Sequence, residues 1–287
     1  MSQLTVLQAP GRCLTKIYGR DRKGGIVKRA YDNAALFYSR VHIFEGIDGL
    51  FALQGMLQRR QDCCVIHAPP GRWHPGDGEL ANRRVYAAAE LADDRGRFHK
   101  PARKGADEFK QRQDVEAGRL RPVTVLPAFE AVPTALVLLD FEKVVLPAGI
   151  AWRDDIAYTA AYLRQNNLPD GFHGRRCTYF ATSSAADLTK PDLGGDEIRM
   201  RLGFMLDRPL TTAEAKRWLA DVDGLDRCTL QSNQPIYTAA PVFRDGLQDP
   251  MPERLGMLDG EHELVAVPWI EMPRQIERAR FTSLGTA

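Results

Sequence analysis

An unbroken apolar run at residues 135–139 constrains the fold more than any other feature of this sequence. It follows Pro133 and leads directly into Asp140, Phe141 and Glu142. Such a run is typical of a central strand that is buried on both faces of a sheet. Alternate side chains of a strand share one face, with backbone positions about 6.5 to 7 Å apart. We therefore predict that Asp140 and Glu142 project side by side while Phe141 turns into the core.

Hydrophobic periodicity predicts the remaining elements of an α+β fold, an open mixed or antiparallel sheet with flanking helices. Leu50, Leu53 and Leu57 form an apolar stripe at helical spacing. A second helix opens with the capping box of Thr211 and Glu214. The other predicted segments are short strands and turns over residues 5–32, strands at 63–66, 177–182 and 198–206, and a helix at 154–166.

Composition excludes several classes of protein. With 287 residues, 44% of them hydrophobic, the chain can fill a large core or two interlocked lobes. No window approaches the ~20 apolar residues of a membrane span, and no signal stretch opens the sequence, so we expect a cytoplasmic protein without a membrane partner. Five cysteines, including the adjacent Cys63 and Cys64, give an odd number and no metal knuckle, so we expect reduced thiols.

The densest basic stretch of the chain lies at residues 95–121. Net charge is only +2, so a nucleic-acid partner has to be inferred from local features. The basic residues of this stretch are mixed with acids, a pattern compatible with a solvated face and equally with a template-binding surface. We predict an N-terminal lobe at 1–122, with a basic insertion near 72–122, and a catalytic lobe at 123–287.

Asp140 and Glu142 are candidate metal ligands. Paired carboxylates at a strand end can hold one or two Mg²⁺ or Mn²⁺ ions, which polarise a nucleotide's phosphates and stabilise departing pyrophosphate. Solvated acids that merely end a strand are the simpler interpretation of such a tripeptide. Asp226 could supply a third carboxylate, although an acid in such a position is most often a turn residue.

Two further pairs of residues suit a triphosphate. Ser183 and Ser184 follow a predicted strand, and their hydroxyls can donate to phosphate oxygens. Arg199 and Arg201 alternate with apolar residues, so both guanidiniums face one side of a strand. An ordinary turn and an exposed sheet edge are the alternatives for the two pairs. If the arginines bind the triphosphate, replacing either by Ala should impair nucleotide use and spare DNA binding.

Four segments, taken in order, resemble the archaeo-eukaryotic primase superfamily of plasmid and phage replication proteins. They are residues 136–144 (LVLLDFEKV), 178–185 (TYFATSSA), 199–210 (RMRLGFMLDRPL) and 226–243 (DRCTLQSNQPIYTAAPVF). Residues 249–260 (DPMPERLGMLDG) continue the likeness. The resemblance implies a primase-polymerase-like catalytic core that contains an RRM-like sheet.

The resemblance also implies roles for individual residues. It makes Asp140 and Glu142 the first metal motif and Asp226 the acid that completes the metal site. It makes Ser183 and Ser184 contacts of the incoming nucleotide, and Arg199 and Arg201 candidates for its phosphates. Glu142 stands where the superfamily usually has aspartate. The serine motif lacks the histidine of many members, and His173 could replace that histidine only if its loop folds back.

The function expected from this resemblance is template-directed nucleotide addition by a DNA primase or primase-polymerase of a plasmid, phage or other mobile element. Its cofactor is Mg²⁺ or Mn²⁺, and its partners are single-stranded DNA, nucleoside triphosphates and a replicative helicase in cis or in trans. A degenerate primase-like domain that only binds DNA, a metal-dependent phosphohydrolase and a purely structural protein are the alternatives. We also expect Asp140→Asn to abolish nucleotide addition and leave stability unchanged or higher, because clustered carboxylates repel one another.

Overall fold

A computed structural model describes residues 1–82 except 33, 35 and 73, then 128–147, 153, 155–189 except 186, and 197–272 except 252. The basic stretch at 95–121 and most of the predicted insertion near 72–122 lie outside the described residues. In the described part, no helix is long and apolar enough to cross a membrane. All five cysteines are free thiols.

The architecture is α+β, with antiparallel pairing predominant and few helices, as predicted. The helices are α1 (Gly46–Leu57), α2 (Ile156–Asn166) and α3 (Thr212–Trp218). The strands are β1 (Ser2–Gln8), β2 (Ile17–Arg20), β3 (Ile26–Arg29), β4 (Leu36–Phe44), β5 (Cys63–Ile66), β6 (Ala81–Asn82), β7 (Thr134–Val145), β8 (Cys177–Ala181), β9 (Glu197–Leu210), β10 (Ile236–Tyr237), β11 (Val242–Phe243), β12 (Leu255–Leu258) and β13 (Leu264–Val265).

Two large sheets and a small one organise the chain. The first has the order β10-β5-β1-β4-β6, and the small one has the order β11-β2-β3. The second large sheet has the order β12-β8-β9-β13, and β7 also pairs with β9. Strands β10 and β11 belong to the second half of the chain but pair with β5 and β2 of the first half. The two halves are therefore interlocked through their sheets.

Strand β7 has the buried apolar run that the sequence predicts, and it is longer than predicted because pairing with β9 continues to Val145. The side chains on the two faces of β7 pack in two different apolar clusters. Val137, Leu139 and Phe141 pack in one apolar cluster with residues of α2 and α3. Leu136 and Leu138 pack in another, against β1, β5 and α1. Because side chains alternate along a strand, Asp140 and Glu142 lie on the same face as Leu136 and Leu138. The apolar residues of this face are therefore followed by charged ones.

Local signals position the neighbouring elements. The capping box of Thr211 and Glu214 forms as predicted at the start of α3. Helix α2 begins at Ile156, because the Asp155 side chain accepts a hydrogen bond from the Tyr158 backbone N–H and caps it. Gly203 in β9 leaves room for α1, since a Cβ there would lie 3.0 Å from Leu50 and 2.5 Å from the Thr178 hydroxyl.

Candidate functional site

Asp140 lies directly opposite Arg201 in the ladder between β7 and β9. Nη2 of Arg201 donates to Asp140 Oδ2 at 2.6 Å, and Nη1 donates to the carbonyl of Tyr237 at 2.9 Å. The side chain of Arg201 is 5% exposed and that of Asp140 is 16% exposed. Removing either charge from water is costly unless the partner stays in place. In this structure the Arg201 guanidinium is therefore engaged by a carboxylate and a backbone carbonyl, and its predicted contact with phosphates stays a prediction.

Glu142 lies opposite Arg199, one step further along the same face of β7. Arg199 Nη1 and Glu142 Oε1 are 3.4 Å apart, and the two side chains are 28% and 47% exposed. An ion pair this long and this solvated contributes little to stability. The Glu142 side chain can therefore turn towards a ligand at small cost.

Asp226 reaches the same place from a distant part of the sequence. Its backbone N–H donates to the carbonyl of Asp140 at 2.8 Å, and the N–H of Glu142 donates to the carbonyl of Gly224 at 2.8 Å. Residues opposed on antiparallel strands share a face, so the side chains of Asp140 and Asp226 start from the same side of the sheet. The Asp226 carboxylate accepts a hydrogen bond from the backbone N–H of Cys228 at 2.9 Å and caps the 3-10 helix Arg227–Leu230.

The donor set suits a divalent ion in its chemistry. Carboxylate oxygens are the ligands that Mg²⁺ and Mn²⁺ prefer. Asp140 and Glu142 lie within β7, and Asp226 lies on the segment that is hydrogen-bonded beside it. Among the described residues, however, no three His, Cys, Asp or Glu side chains stand close enough to hold an ion. Asp140 faces Arg201 and Asp226 caps a helix. An ion at Asp140 therefore has to displace or share the guanidinium partner.

Ser183 and Ser184 follow the end of β8, and Ser184 contacts the first half of the chain. Ser183 is buried, and Ser184 accepts a hydrogen bond from Nζ of Lys16. Burial, and after it the charges of Lys28 and Arg199, lowers the pKa of Lys16. The serine motif therefore contacts a cation from the N-terminal half that the sequence analysis missed.

The hairpin of β2 and β3 and the residue just before it supply two cations, Lys28 and Lys16. Tyr18 and Lys28 are opposed in this hairpin, and Lys16 precedes Tyr18 by two residues, so the three side chains share a face. Lys28 forms an ion pair with Asp187, which follows the serine motif. The basic residues around the turn at 19–25 are visible in the sequence. The packing partner of this hairpin is not visible in the sequence, because it depends on contacts between residues far apart in the chain.

The buried Arg254 fixes the backbone just before the serine motif. It donates to both oxygens of Asp249, at 2.7 and 2.6 Å, and to the carbonyl of Thr182 at 2.9 Å. Such a bidentate pair is geometrically specific. Residues 249–260, which continue the resemblance, therefore act here by holding the end of β8.

His173 does not approach the serine motif. Its Nε2 donates to the carbonyl of Leu168 at 2.9 Å, in the connection before β8. Ser183 follows the opposite end of β8. In this structure His173 therefore does not take the place of the histidine that the second motif lacks.

His67, just after β5, lies within electrostatic range of Arg201. It is buried, and its Nδ1 has no hydrogen-bond partner among the residues that the structure describes. Burial, and after it the charge of Arg201, lowers the pKa of His67 to about 4. This side chain is therefore neutral at neutral pH.

We expect the neutral His67 to make stability depend on pH. The unfolded chain takes up a proton near pH ~6.5, whereas the folded protein resists it down to about pH 4. The contribution of His67 to the free energy of unfolding is fully present above about pH 6.5. As the pH falls from there to about pH 4, it decreases by about 1.4 kcal/mol per pH unit. In His67→Gln this contribution is absent, so the stability advantage of the wild type shrinks as the pH falls. Urea unfolding of both proteins at about pH 7, 6 and 5 measures it, and a constant difference would contradict it.

Comparisons of this chain with protein-family models, with curated proteins and with solved structures gave no match.

Proposed function

We propose that this chain is a divalent-metal-dependent, template-directed nucleotidyltransferase, a DNA primase or primase-polymerase that serves the replication of a plasmid, phage or other mobile element. One observation carries the proposal. The backbone of Asp226 hydrogen-bonds to that of Asp140, so the acid predicted to complete the metal motif lies beside the acid predicted to begin it. The likeness of the sequence segments to primases supports the same conclusion.

Each group of predicted site residues has its own role in such a reaction. When bound, Mg²⁺ or Mn²⁺ would polarise the nucleotide's phosphates and stabilise the departing pyrophosphate. Asp140, Glu142 and Asp226 would hold the ion. Arg199, which lies 3.4 Å from Glu142, and Ser184, which contacts Lys16, would donate hydrogen bonds to phosphate oxygens and orient the nucleotide. Single-stranded DNA is the template in this proposal, and a replicative helicase in cis or in trans in the cytoplasm is a further partner.

Incubation of the protein with single-stranded DNA, labelled nucleotides and Mn²⁺ tests the proposal, with and without an annealed primer. Products in both reactions mean priming, and products only with the primer mean extension. Absence of products in both reactions contradicts the proposal. Phosphate release that is independent of template would point instead to a phosphohydrolase.

A second candidate is a primase-like domain that binds DNA without polymerising. The contact at 2.6 Å between Arg201 and Asp140 favours it, because a guanidinium there supplies the positive charge that an ion would supply. Titration with Mn²⁺ separates the two candidates. Stoichiometric binding that is lost in Glu142→Gln supports the enzyme, whereas DNA binding without Mn²⁺ binding supports the degenerate domain.

A further inference from the structure

Three cations from the two halves of the chain meet beside Ser184. Lys16 contacts the Ser184 hydroxyl, and Lys28 forms an ion pair with Asp187. The charges of Lys28 and Arg199 both act on Lys16. The hairpin of β2 and β3, with Lys16 just before it, thus brings Lys16 within electrostatic range of both Lys28 and Arg199. We call Lys16, Lys28, Arg199 and Ser184 the hairpin cluster.

The backbone around Lys16 is fixed from both sides. The buried Thr15 hydroxyl donates to the carbonyl of Ala239 at 3.1 Å, and the N–H of Val242 donates to the carbonyl of Lys16 at 2.9 Å. The ring of Tyr18 stacks on that of Phe243 with centroids 5.2 Å apart. Lys16 is therefore presented from a packed surface and not from a free loop end.

The charges of the hairpin cluster leave an excess of positive charge. Lys16, Lys28 and Arg199 face the acids Asp187 and Glu142, which raise the pKa of Lys16 less than burial and the two cations lower it. Counted over the described residues that act on Lys16, and Lys16 itself, three positive groups against two negative ones leave a surplus of one positive charge. An anion bound here would relieve the repulsion among the cations and replace water lost on burial.

Tyr18 gives an independent sign that a polar ligand belongs here. It is fully buried, and its hydroxyl has no hydrogen-bond partner within the described part of the chain. Burial, and after it the charge of Asp187, raises the pKa of this hydroxyl, and Arg199 is also within electrostatic range. A buried hydroxyl without a partner is costly, and a ligand oxygen would satisfy it.

We propose that the hairpin cluster binds the polyphosphate chain of a nucleoside triphosphate. In naming a nucleotide, the proposal rests on the proposed function. It makes Lys16 and Lys28 of the N-terminal hairpin the principal phosphate-binding residues together with Arg199, while Arg201 stays with Asp140. A compact cluster of cations suits several phosphates of one small ligand, whereas a nucleic-acid strand spreads its phosphates along an extended groove.

Binding of inorganic tripolyphosphate, measured by calorimetry without metal and without DNA, tests the proposal. We expect the wild type to bind it, and Lys16→Met and Lys28→Met each to bind about tenfold more weakly, the loss expected for one charge-assisted contact. Lys23→Met is the matched control, because Lys23 is exposed in the turn of the same hairpin. Its affinity should stay within about twofold of the wild type, the margin of an uninvolved surface charge.

Folding of the variants is checked by their melting temperatures. Lys16→Met should melt at or above the wild-type temperature, because it removes a partly buried cation that Lys28 and Arg199 repel. Tripolyphosphate should then raise the melting temperature of the wild type and of Lys23→Met, and raise that of Lys16→Met much less.

Three results would overturn the proposal. The first is no binding of tripolyphosphate by the wild type, and the second is wild-type affinity for it in folded Lys16→Met and Lys28→Met. The third is a loss, in these variants, of binding to a single-stranded oligonucleotide with tripolyphosphate binding intact, which would assign the cluster to the template. The tripolyphosphate assay contains neither metal nor template, so failure of nucleotide addition and failure of tripolyphosphate binding are separate outcomes.

Discussion

Asp140→Ala should lower the free energy of unfolding by about 3 to 5 kcal/mol, the cost of leaving one charge of a buried pair without its partner. Arg201 is the charge left behind, with a side chain that is 5% exposed and a contact at 2.6 Å to the deleted carboxylate. Urea unfolding of the wild type and the variant measures the difference.

Two further variants control this prediction. Glu142→Ala, at the neighbouring position of the same face, deletes the exposed partner of Arg199 and should cost no more than about 1 kcal/mol. Asp140→Ala combined with Arg201→Met removes both charges and should recover much of the loss. Equal losses in Asp140→Ala and Glu142→Ala, with no recovery in the double variant, would show that the pair does not carry this stability.

Asp140→Asn should reduce nucleotide addition about a thousandfold. The change is nearly isosteric, but it removes the negative charge that holds a divalent ion against the phosphates. The ion's contribution to the transition state is worth several kcal/mol, and ~4 kcal/mol corresponds to about three orders of magnitude in rate. Incorporation of labelled nucleotides on a primed template measures the effect, at a temperature where the variant is folded.

Leu139→Ala is the control for instability in that assay. Leu139 is fully buried on the opposite face of β7, and its truncation should cost about 2 to 5 kcal/mol without touching the acids. Its rate should stay within a few-fold of the wild type while Asp140→Asn is nearly inactive. Similar losses in both variants, or full activity in folded Asp140→Asn, would contradict the role given to Asp140.

The structure changes the expectation for the stability of Asp140→Asn. The sequence suggested clustered carboxylates whose repulsion the substitution would relieve. Asp140 instead contacts a buried guanidinium, and Asn keeps an oxygen that can accept its hydrogen bond but not the charge. We therefore now expect a loss of stability, smaller than that of Asp140→Ala.

Local patterns in the sequence predicted the elements that carry the candidate site. The apolar run before Asp140 predicted a buried strand. The alternation around Arg199 and Arg201 predicted their common face in β9, and Thr211 predicted the start of α3. Each signal depends on residues close together in sequence, which determine periodicity, capping and strand polarity.

Pairings between distant residues escaped the sequence analysis. Opposition of Asp140 to Arg201 depends on the register of β7 against β9, which periodicity does not determine. The approach of Lys16 to Ser184 depends on β11 pairing with β2. From the sequence alone, a basic turn is interpreted as a solvated surface, because its contacts with distant parts of the chain are not known. For the same reason, the burial of His67 within electrostatic range of Arg201 could not be predicted.

Nucleotide choice on homopolymeric templates tests the central claim most directly. The protein is incubated with Mn²⁺, all four labelled nucleotides and a primed oligo(dT) or oligo(dC) template. The account predicts incorporation of adenine nucleotides on the first template and guanine nucleotides on the second, with neither product in Asp140→Asn. The same nucleotide on both templates, or no incorporation by the folded wild type on either, would contradict template-directed nucleotide addition by this chain.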